Sequence, residues 1–162
     1  MSLFFEDIEL GRVIELGGHR FGAEEIVAFA REFDPQPFHL SEEAARESLF
    51  GHLCASGWHT VSIWMRHAVA REHRIRAELA AAGEPAPGFG PSPGVRELTW
   101  PTPVYVDDEI SFTTSPQTKR VLASRPGWGV VESLNEGVNQ EGRTVLRFFG
   151  SLFVERRARA GA

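Results

Sequence analysis

The feature that most constrains the fold is one long helix-forming stretch near the middle of the chain. It begins near Ser56-Gly57, and its first half carries an apolar stripe at helical spacing, formed by Val61, Trp64, Met65, Ala68 and Val69. Residues 71–82 continue the helical pattern but are far more polar, so we expect this part to extend into solvent. Gly83 predicts the end of the helix. One long helix with a single apolar face needs a sheet to pack against.

The residues before this helix predict one strand and two shorter helices. A strand over 12–21 is interrupted by two glycines, which indicate a bulge or a close approach of another element. The next helix is predicted from apolar residues at helical spacing and is ended by Pro35, and its stripe consists of Ile26, Phe29, Ala30 and Phe33. Ser41 resembles the N-cap of a short helix that runs to about Leu49.

The residues after the long helix predict strands only. Residues 83–94 are rich in proline and glycine and form a loop, either a functional lid or a passive connector, with the connector favoured. The predicted strands cover 95–100, 104–114 with a continuation to 122 left open, 128–138 and 143–155, with turns at Gly127 and at Glu141-Gly142. Helices early and antiparallel strands late indicate an α+β fold, in which one long helix packs on a curved sheet.

Length and composition predict a single domain over 1–162, with a flexible tail at about 156–162. The 17 Lys and Arg residues against 22 Asp and Glu give a net charge of -5, which argues against a nucleic-acid partner. No apolar run approaches the roughly 18 residues of a membrane span. The single cysteine, Cys54, excludes an intrachain disulfide, and the N-terminus lacks a signal-peptide pattern, so we expect a cytoplasmic protein.

The segment Asp34-Pro-Gln-Pro-Phe-His39 has the residue types of an acid/base site. Its two prolines stiffen the connection between a carboxylate and an imidazole, and acid/base geometry requires such constraint. The spacing does not by itself make the two side chains converge. A helix-ending aspartate with a loop histidine bonded to backbone is the simpler interpretation of these residue types alone.

Residues on both sides of this segment favour the catalytic interpretation over the structural one. The segments 29–40 and 50–57, with Ala44-Ala45 between them and Pro103-Val104 followed by Asp107-Asp108, resemble the MaoC-like dehydratases and (R)-specific enoyl-CoA hydratases. The resemblance implies a hot-dog fold, in which a long central helix is wrapped by a curved antiparallel sheet, and usually a homodimer or higher homo-oligomer. It implies reversible hydration of an enoyl-CoA or acyl-carrier thioester, with no cofactor beyond coenzyme A as part of the substrate.

The same resemblance assigns the site residues. Asp34 and His39 would hold the reacting water, and the backbone N–H of Gly57 would stabilise the thioester oxygen with Ser56 beside it. Gln36 would contact substrate or brace the loop. The chain departs from the family pattern where Gln36 replaces an asparagine and Ser56 a histidine, and also at Phe33 and Ser41, so we expect an altered substrate pocket.

Other interpretations remain open at this stage. The same fold also supports thioesterases and non-catalytic acyl-thioester-binding proteins. No metal is expected, because the spacing of His52, Cys54 and His59 matches no familiar zinc pattern. The four tryptophans are interpreted most simply as core or interface residues, namely Trp58, Trp64, Trp100 and Trp128.

Overall fold

The computed structural model describes residues 4–157. After a short 3-10 turn at Phe5–Asp7, the elements in chain order are β1 (Ile14–Arg20), α1 (Ala23–Phe33), α2 (Pro37–Leu40), α3 (Glu42–Arg46), α4 (Gly57–Ala81), β2 (Gly94–Thr99), β3 (Glu109–Leu122), β4 (Arg125–Val138) and β5 (Thr144–Glu155). The strands form one antiparallel sheet in the order β1-β3-β4-β5-β2. The predicted α+β, hot-dog arrangement of a long helix and a sheet is confirmed.

The core lies between the first half of α4, α1 and the strands. Its largest fully buried side chains include Phe21, Ile26, Ile110, Phe112 and Leu146. Burial of such side chains contributes roughly 1.5–3 kcal/mol each, so this cluster fixes the position of α4 against the sheet. The N-terminus of α4 is therefore a rigid platform.

The glycine pair of β1 has both properties that its sequence predicts. The pairing of β1 with β3 shifts register between Glu15 and Gly17, which is a β-bulge. Gly17 has a φ of +125°, and a Cβ placed there would lie 2.9 Å from Nδ1 of His67 in α4. Glycine at this position therefore permits both the bulge and the close approach of the helix.

Two sequence predictions about the strands are wrong. Residues 104–108 do not begin β3, because they form a tight turn in which the N–H of Tyr105 donates to Asp108 Oδ2 (2.8 Å) and Asp107 adopts a φ of +69°. Gly127 lies inside β4, and the chain reverses at residues 123–124 instead. The continuation of β3 to Leu122 and the turn around Gly142 are confirmed.

The helices also differ from their predicted extents. The sequence did not predict α2, and α3 ends at Arg46 rather than near Leu49. The polar half of α4 is not wholly in solvent, since Ile75 and Leu79 are buried. The guanidinium of Arg76 lies 5.3 Å from the centre of the Phe89 ring, so the following loop runs back along this half of the helix.

The proline- and glycine-rich loop is fastened to the sheet. The N–H of Gly90 donates to the carbonyl of Phe153, and the N–H of Gly88 donates to the carboxylate of Glu155. This loop packs on Phe153 of β5. Of the predicted tail, residues 158–162 lie outside the described residues, whereas Arg156 pairs with Glu6 (3.0 Å). Within 4–157, no helix is long and apolar enough to cross a membrane.

Candidate active site

Asp34 stands at the C-terminus of α1. Its backbone N–H still donates to the carbonyl of Ala30 (2.9 Å), and Pro35 then prevents another helical turn. The start of the same helix is fixed by Glu25, whose carboxylate accepts from the N–H of Gly22 (2.9 Å). Because α1 is fixed at both ends, the Asp34 carboxylate has a defined direction.

Two side chains donate hydrogen bonds to this carboxylate. Ser56 Oγ donates to Asp34 Oδ2 (2.7 Å), and Gln36 Nε2 donates to Asp34 Oδ1 (2.8 Å). Burial acts to raise the pKa of Asp34, but the bonds from Ser56 and Gln36 and the charge of His39 outweigh it and leave the pKa below its ordinary value. The group is therefore a carboxylate at neutral pH, and Gln36 braces it.

His39 lies in α2, where Pro37 occupies the first helical position. Its imidazole is buried, and Nδ1 lies 2.7 Å from the carbonyl oxygen of Cys54. Because a carbonyl only accepts, Nδ1 carries the proton, and in the neutral ring Nε2 has the free lone pair. Nε2 lies 3.6 Å from Asp34 Oδ2. The short helix thus turns the imidazole toward the carboxylate.

The N-terminus of α4 closes the other side of the site. Ser56 is the N-cap, and its Oγ accepts from the N–H of Trp58 (3.2 Å) while donating to Asp34. Gly57 is the first residue of the helix, and its N–H forms no hydrogen bond within the described part of the chain. Such a free N–H at a helix N-terminus attracts a partial negative charge.

These groups line one cavity of about 330 Å³. Asp34, Gln36, His39, Ser56 and Gly57, all predicted from the sequence, meet there. The other lining residues are mainly aromatic or apolar and include Phe38, Phe50, Cys54, Trp58, Trp100, Pro103 and Val104. The cavity therefore combines an acid/base pair with apolar walls that lower the local polarity.

Trp100 is a cavity residue that sequence reasoning assigned to a core or interface. Its ring packs directly on Gly57, since a Cβ at position 57 would lie 2.5 Å from Trp100 Cε2. The ring also makes an edge contact with Trp58, with centroids 5.4 Å apart. The signal in the sequence is the run Trp100-Pro-Thr-Pro103, whose prolines hold the tryptophan on a stiff segment beside the cavity.

His59 links the two helices that carry the site. Its ring stacks on Phe29 of α1 with centroids 4.5 Å apart, and it makes an edge contact with Phe21. Burial lowers the pKa of His59 to about 4, so the ring is neutral at physiological pH. The sequence placed His59 only in a zinc hypothesis, and the structure shows it as a packing residue between α1 and α4.

Cys54 also belongs to the wall of the site rather than to a metal centre. Burial raises the pKa of its thiol to about 11, so it is not ionised at neutral pH. Throughout residues 4–157, no group of three or more His, Cys, Asp or Glu side chains is arranged to hold a metal ion.

A second cavity of about 370 Å³ lies farther along α4, between the helix and the strands. Its helix side is formed by the predicted apolar stripe, and its sheet side by residues of β3, β4 and β5 that include Val131, Phe148, Leu152 and Val154. Phe89 and Ser92 of the 83–94 loop close one side. The loop therefore contributes to this cavity, while none of the described residues 83–94 lines the first one.

The fold and the first cavity together define a class: hot-dog proteins with an aspartate/histidine pair beside the N-terminus of the long helix. The family model described as MaoC like domain matches residues 9–133, and the chain belongs to this family. The resemblance noted from the sequence is thereby confirmed.

Two solved structures and one curated protein are similar to this chain. The MaoC-like dehydratase of Rhodospirillum rubrum is 39% identical, with a TM-score of 0.81 over 97% of this chain and 99% of its own. The (R)-hydratase PhaJ1 of Pseudomonas aeruginosa shares the fold at 17% identity, with a TM-score of 0.63 over 99% and 93% of the two chains. The uncharacterized protein YdeM of Bacillus subtilis is 29% identical over 92% of this chain and 95% of its own.

Proposed function

We propose that this protein catalyses the reversible addition of water to an α,β-unsaturated acyl thioester, converting an enoyl-CoA to a 3-hydroxyacyl-CoA. One observation carries the proposal: Asp34 Oδ2 and His39 Nε2 lie 3.6 Å apart in the cavity that also contains the Gly57 N–H. Hydration requires a base for water, an acid for the α-carbon and a donor for the thioester oxygen. This cavity supplies a group for each role.

The bonding around the pair suggests how the proton moves. Asp34 is a carboxylate with two donors already attached, and it orients the water by accepting one of its hydrogens. Imidazole binds protons more readily than a carboxylate, so His39 Nε2 takes the proton as the water oxygen bonds to the β-carbon. The resulting imidazolium is stabilised by the nearby Asp34, and Nε2 returns the proton to the α-carbon. The pair ends in its starting state.

Negative charge develops on the thioester oxygen between these two events. The free N–H of Gly57 is the backbone donor for that oxygen, and the α4 dipole adds to the attraction. Loss of one such donor typically costs about 3 kcal/mol of transition-state stabilisation. The rigid attachment of α4 to the core keeps this donor in place before substrate arrives.

The acyl chain fits the second cavity. The helix α4 connects the two, because Gly57, Trp58 and Thr60 line the first cavity and Val61 and Trp64 line the second. Each CH2 group that the acyl chain buries against an apolar wall contributes about 0.8 kcal/mol of binding free energy. We therefore propose that the preferred substrates carry more than four carbons.

We also propose that the active form is a homodimer. Trp58, Met65 and Val69 lie at helical spacing on α4 and are exposed in the single chain, at 57%, 49% and 39%. An apolar strip of this kind on a helix is typical of a protein interface. Light scattering coupled to size-exclusion chromatography tests this directly, and a monomer at micromolar concentration would contradict it.

The function is tested by following the enoyl absorbance of crotonyl-CoA and 2-octenoyl-CoA after adding enzyme. The wild type should consume both, and Asp34→Asn and His39→Ala should each lower kcat by about 1,000-fold, a typical cost of losing an acid/base group. Matched controls are Asp107→Asn, an exposed aspartate paired with Arg20, and His52→Ala, an exposed histidine.

Both controls should keep the wild-type rate, and circular dichroism should show that all four variants fold. Unchanged turnover in Asp34→Asn or His39→Ala would reject the assigned pair. If the protein releases free thiol from octanoyl-CoA and leaves the absorbance of crotonyl-CoA and 2-octenoyl-CoA unchanged, it is instead a thioesterase.

A further inference from the structure

Trp100 packs on Gly57 in the first cavity, and the acid/base pair alone does not account for this contact. Trp100 lies between β2 and the turn at Tyr105–Asp108, next to Pro101. A Cβ at Gly57 would lie 2.5 Å from its Cε2, 2.6 Å from Cδ2 and 2.8 Å from Nε1. The five-membered half of the indole, which contains the N–H, is therefore the part of the ring that contacts Gly57.

Two N–H groups thus lie near each other on the wall of the cavity. The Cβ position and the amide nitrogen of Gly57 are bonded to the same Cα, so Trp100 Nε1 is a close neighbour of the Gly57 N–H. Among the described residues, neither group donates a hydrogen bond. Both residues line the cavity that contains Asp34 and His39. The indole N–H only donates, so a ligand at this point must present an acceptor.

We propose that Trp100 is a further catalytic residue, whose Nε1–H donates to the thioester carbonyl oxygen together with the N–H of Gly57. This inference rests on the proposed function for its reaction, and on the Gly57 contact for its geometry. Two donors aimed at one oxygen are the usual arrangement for charge that develops on an acyl oxygen.

A purely structural role for Trp100 predicts a different result. A ring that only forms the wall can be replaced by another ring, so Trp100→Phe would retain most activity. A donor cannot be replaced in this way, because phenylalanine has no N–H. Trp100→Phe should therefore lower kcat for 2-octenoyl-CoA by about 100-fold and change KM by less than threefold, since the lost bond strengthens in the transition state.

The matched control is Trp128→Phe. Trp128 lies on β4 and packs against Gly88 and Gly90, and it does not line the catalytic cavity. This variant should keep the wild-type kcat and KM. If the wild type hydrates 2-octenoyl-CoA and Trp100→Phe has the same kcat, the proposed role of Trp100 is overturned. The proposed hydratase function then still holds.

Indole N–H resonances test the bond without any turnover. The Trp100 resonance is the one missing from the spectrum of Trp100→Phe. Saturating butyryl-CoA, which has no double bond to hydrate, should move it downfield, whereas S-butyl-CoA, a thioether without the carbonyl, should not. Equal shifts with both probes, or none with either, overturn the proposal. A carbonyl-dependent shift in a protein that hydrates no enoyl thioester would support the donor and reject the proposed reaction.

Discussion

The two cavities along α4 have similar volumes and opposite chemistry. The first cavity, of about 330 Å³, is built mainly from residues at and near the ends of α1, α2 and α4, whose polar groups are held by hydrogen bonds around Asp34. The apolar cavity, of about 370 Å³, is built from side chains of α4 and of the strands, with the 83–94 loop on one side. The first cavity fixes the directions of hydrogen-bond donors and acceptors, whereas the apolar cavity offers mainly apolar contact surface.

The difference between the two cavities shows that α4 contributes to both, and that it does so through a different property in each. The N-terminus of α4 contributes free N–H groups and the positive end of the helix dipole to the first cavity. The side of the same helix contributes an apolar stripe to the second. Substitutions should therefore separate chemistry from chain-length preference according to which property they change.

Among the substitutions that compare the two cavities, the largest effect is expected from Gly57→Ala. Its φ is compatible with alanine, but the new methyl group would lie 2.5 Å from the Trp100 ring, so the indole has to move away from the helix terminus. Both proposed donors are then misplaced, and kcat should fall by at least 100-fold for every chain length. Steady-state kinetics and tryptophan fluorescence measure the two consequences.

Gly22→Ala is the control for this substitution. Gly22 precedes α1 with a φ of -80°, and nothing lies within 4 Å of the position that its Cβ would take. It should keep the wild-type rate. Full activity in Gly57→Ala would show that neither the Trp100 contact nor the placement of this N–H matters.

A smaller and selective effect is expected from Ala68→Phe. Ala68 lines the apolar cavity, and a phenyl ring there fills space proposed for the acyl chain. Loss of even half the burial of four CH2 groups, at about 0.8 kcal/mol each, lowers kcat/KM for 2-octenoyl-CoA by roughly 15-fold. Crotonyl-CoA should be hydrated as before.

Ala70→Phe controls for the added ring, because Ala70 is exposed on the same helix and lines neither cavity. Its chain-length profile should match that of the wild type. An equal loss on crotonyl-CoA and 2-octenoyl-CoA in Ala68→Phe would mean that the two cavities do not act separately.

The smallest effect on rate is expected from Ser56→Ala. At pH 7 Asp34 stays ionised without the Ser56 bond, because an ordinary aspartate has a pKa of about 3.9 and Gln36 still donates. The rate at pH 7 should fall less than tenfold. Loss of the α4 N-cap should lower the free energy of unfolding by about 1 kcal/mol, measured by urea denaturation.

The pH dependence of Ser56→Ala follows from the sign of the Asp34 shift. The pKa of Asp34 is lower in the folded protein than in the unfolded chain, so its ionisation adds stability at neutral pH that is lost as the pH falls through the folded value. Without Ser56 the folded pKa rises, so the acid limb of the unfolding free energy against pH, measured by urea denaturation, should be smaller in amplitude and end at a higher pH. Ser62→Ala, which removes an exposed hydroxyl bonded to the Trp58 carbonyl, should leave that limb unchanged.

The sequence predicted the parts of the fold that depend on strong local signals. The long helix after Ser56, the glycine bulge in β1 and the turn at Gly142 follow from periodicity and from backbone freedom. Periodicity did not predict the turn at Tyr105–Asp108, because it depends on a side-chain bond within an apolar run that otherwise has the pattern of a strand. Only the resemblance of Pro103-Val104 and Asp107-Asp108 to a turn of the family indicated it. The turn predicted at Gly127 was wrong for a different reason. Pairing of this segment with the neighbouring strands overrode the preference of glycine for turns.

The site was predictable in its residues but not in its geometry. Asp34, His39 and Gly57 came from the family resemblance, and their convergence in one cavity needed three-dimensional packing. The tautomer of His39 depends on the carbonyl of Cys54, 15 positions away in the sequence. Trp100 was missed because its partner, Gly57, is distant in the chain, and a lone tryptophan has no local signal that separates a wall from a donor.

The attachment of the 83–94 loop has a consequence for how such proteins can diverge. Its backbone bonds to β5 and its side chains on the apolar cavity belong to a segment that joins α4 to an edge strand. Loops of this kind accept insertions and deletions at little energetic cost, while the register of the sheet stays the same. Related chains can thus change the shape of the apolar cavity through one connector, while Asp34, His39 and Gly57 stay the same.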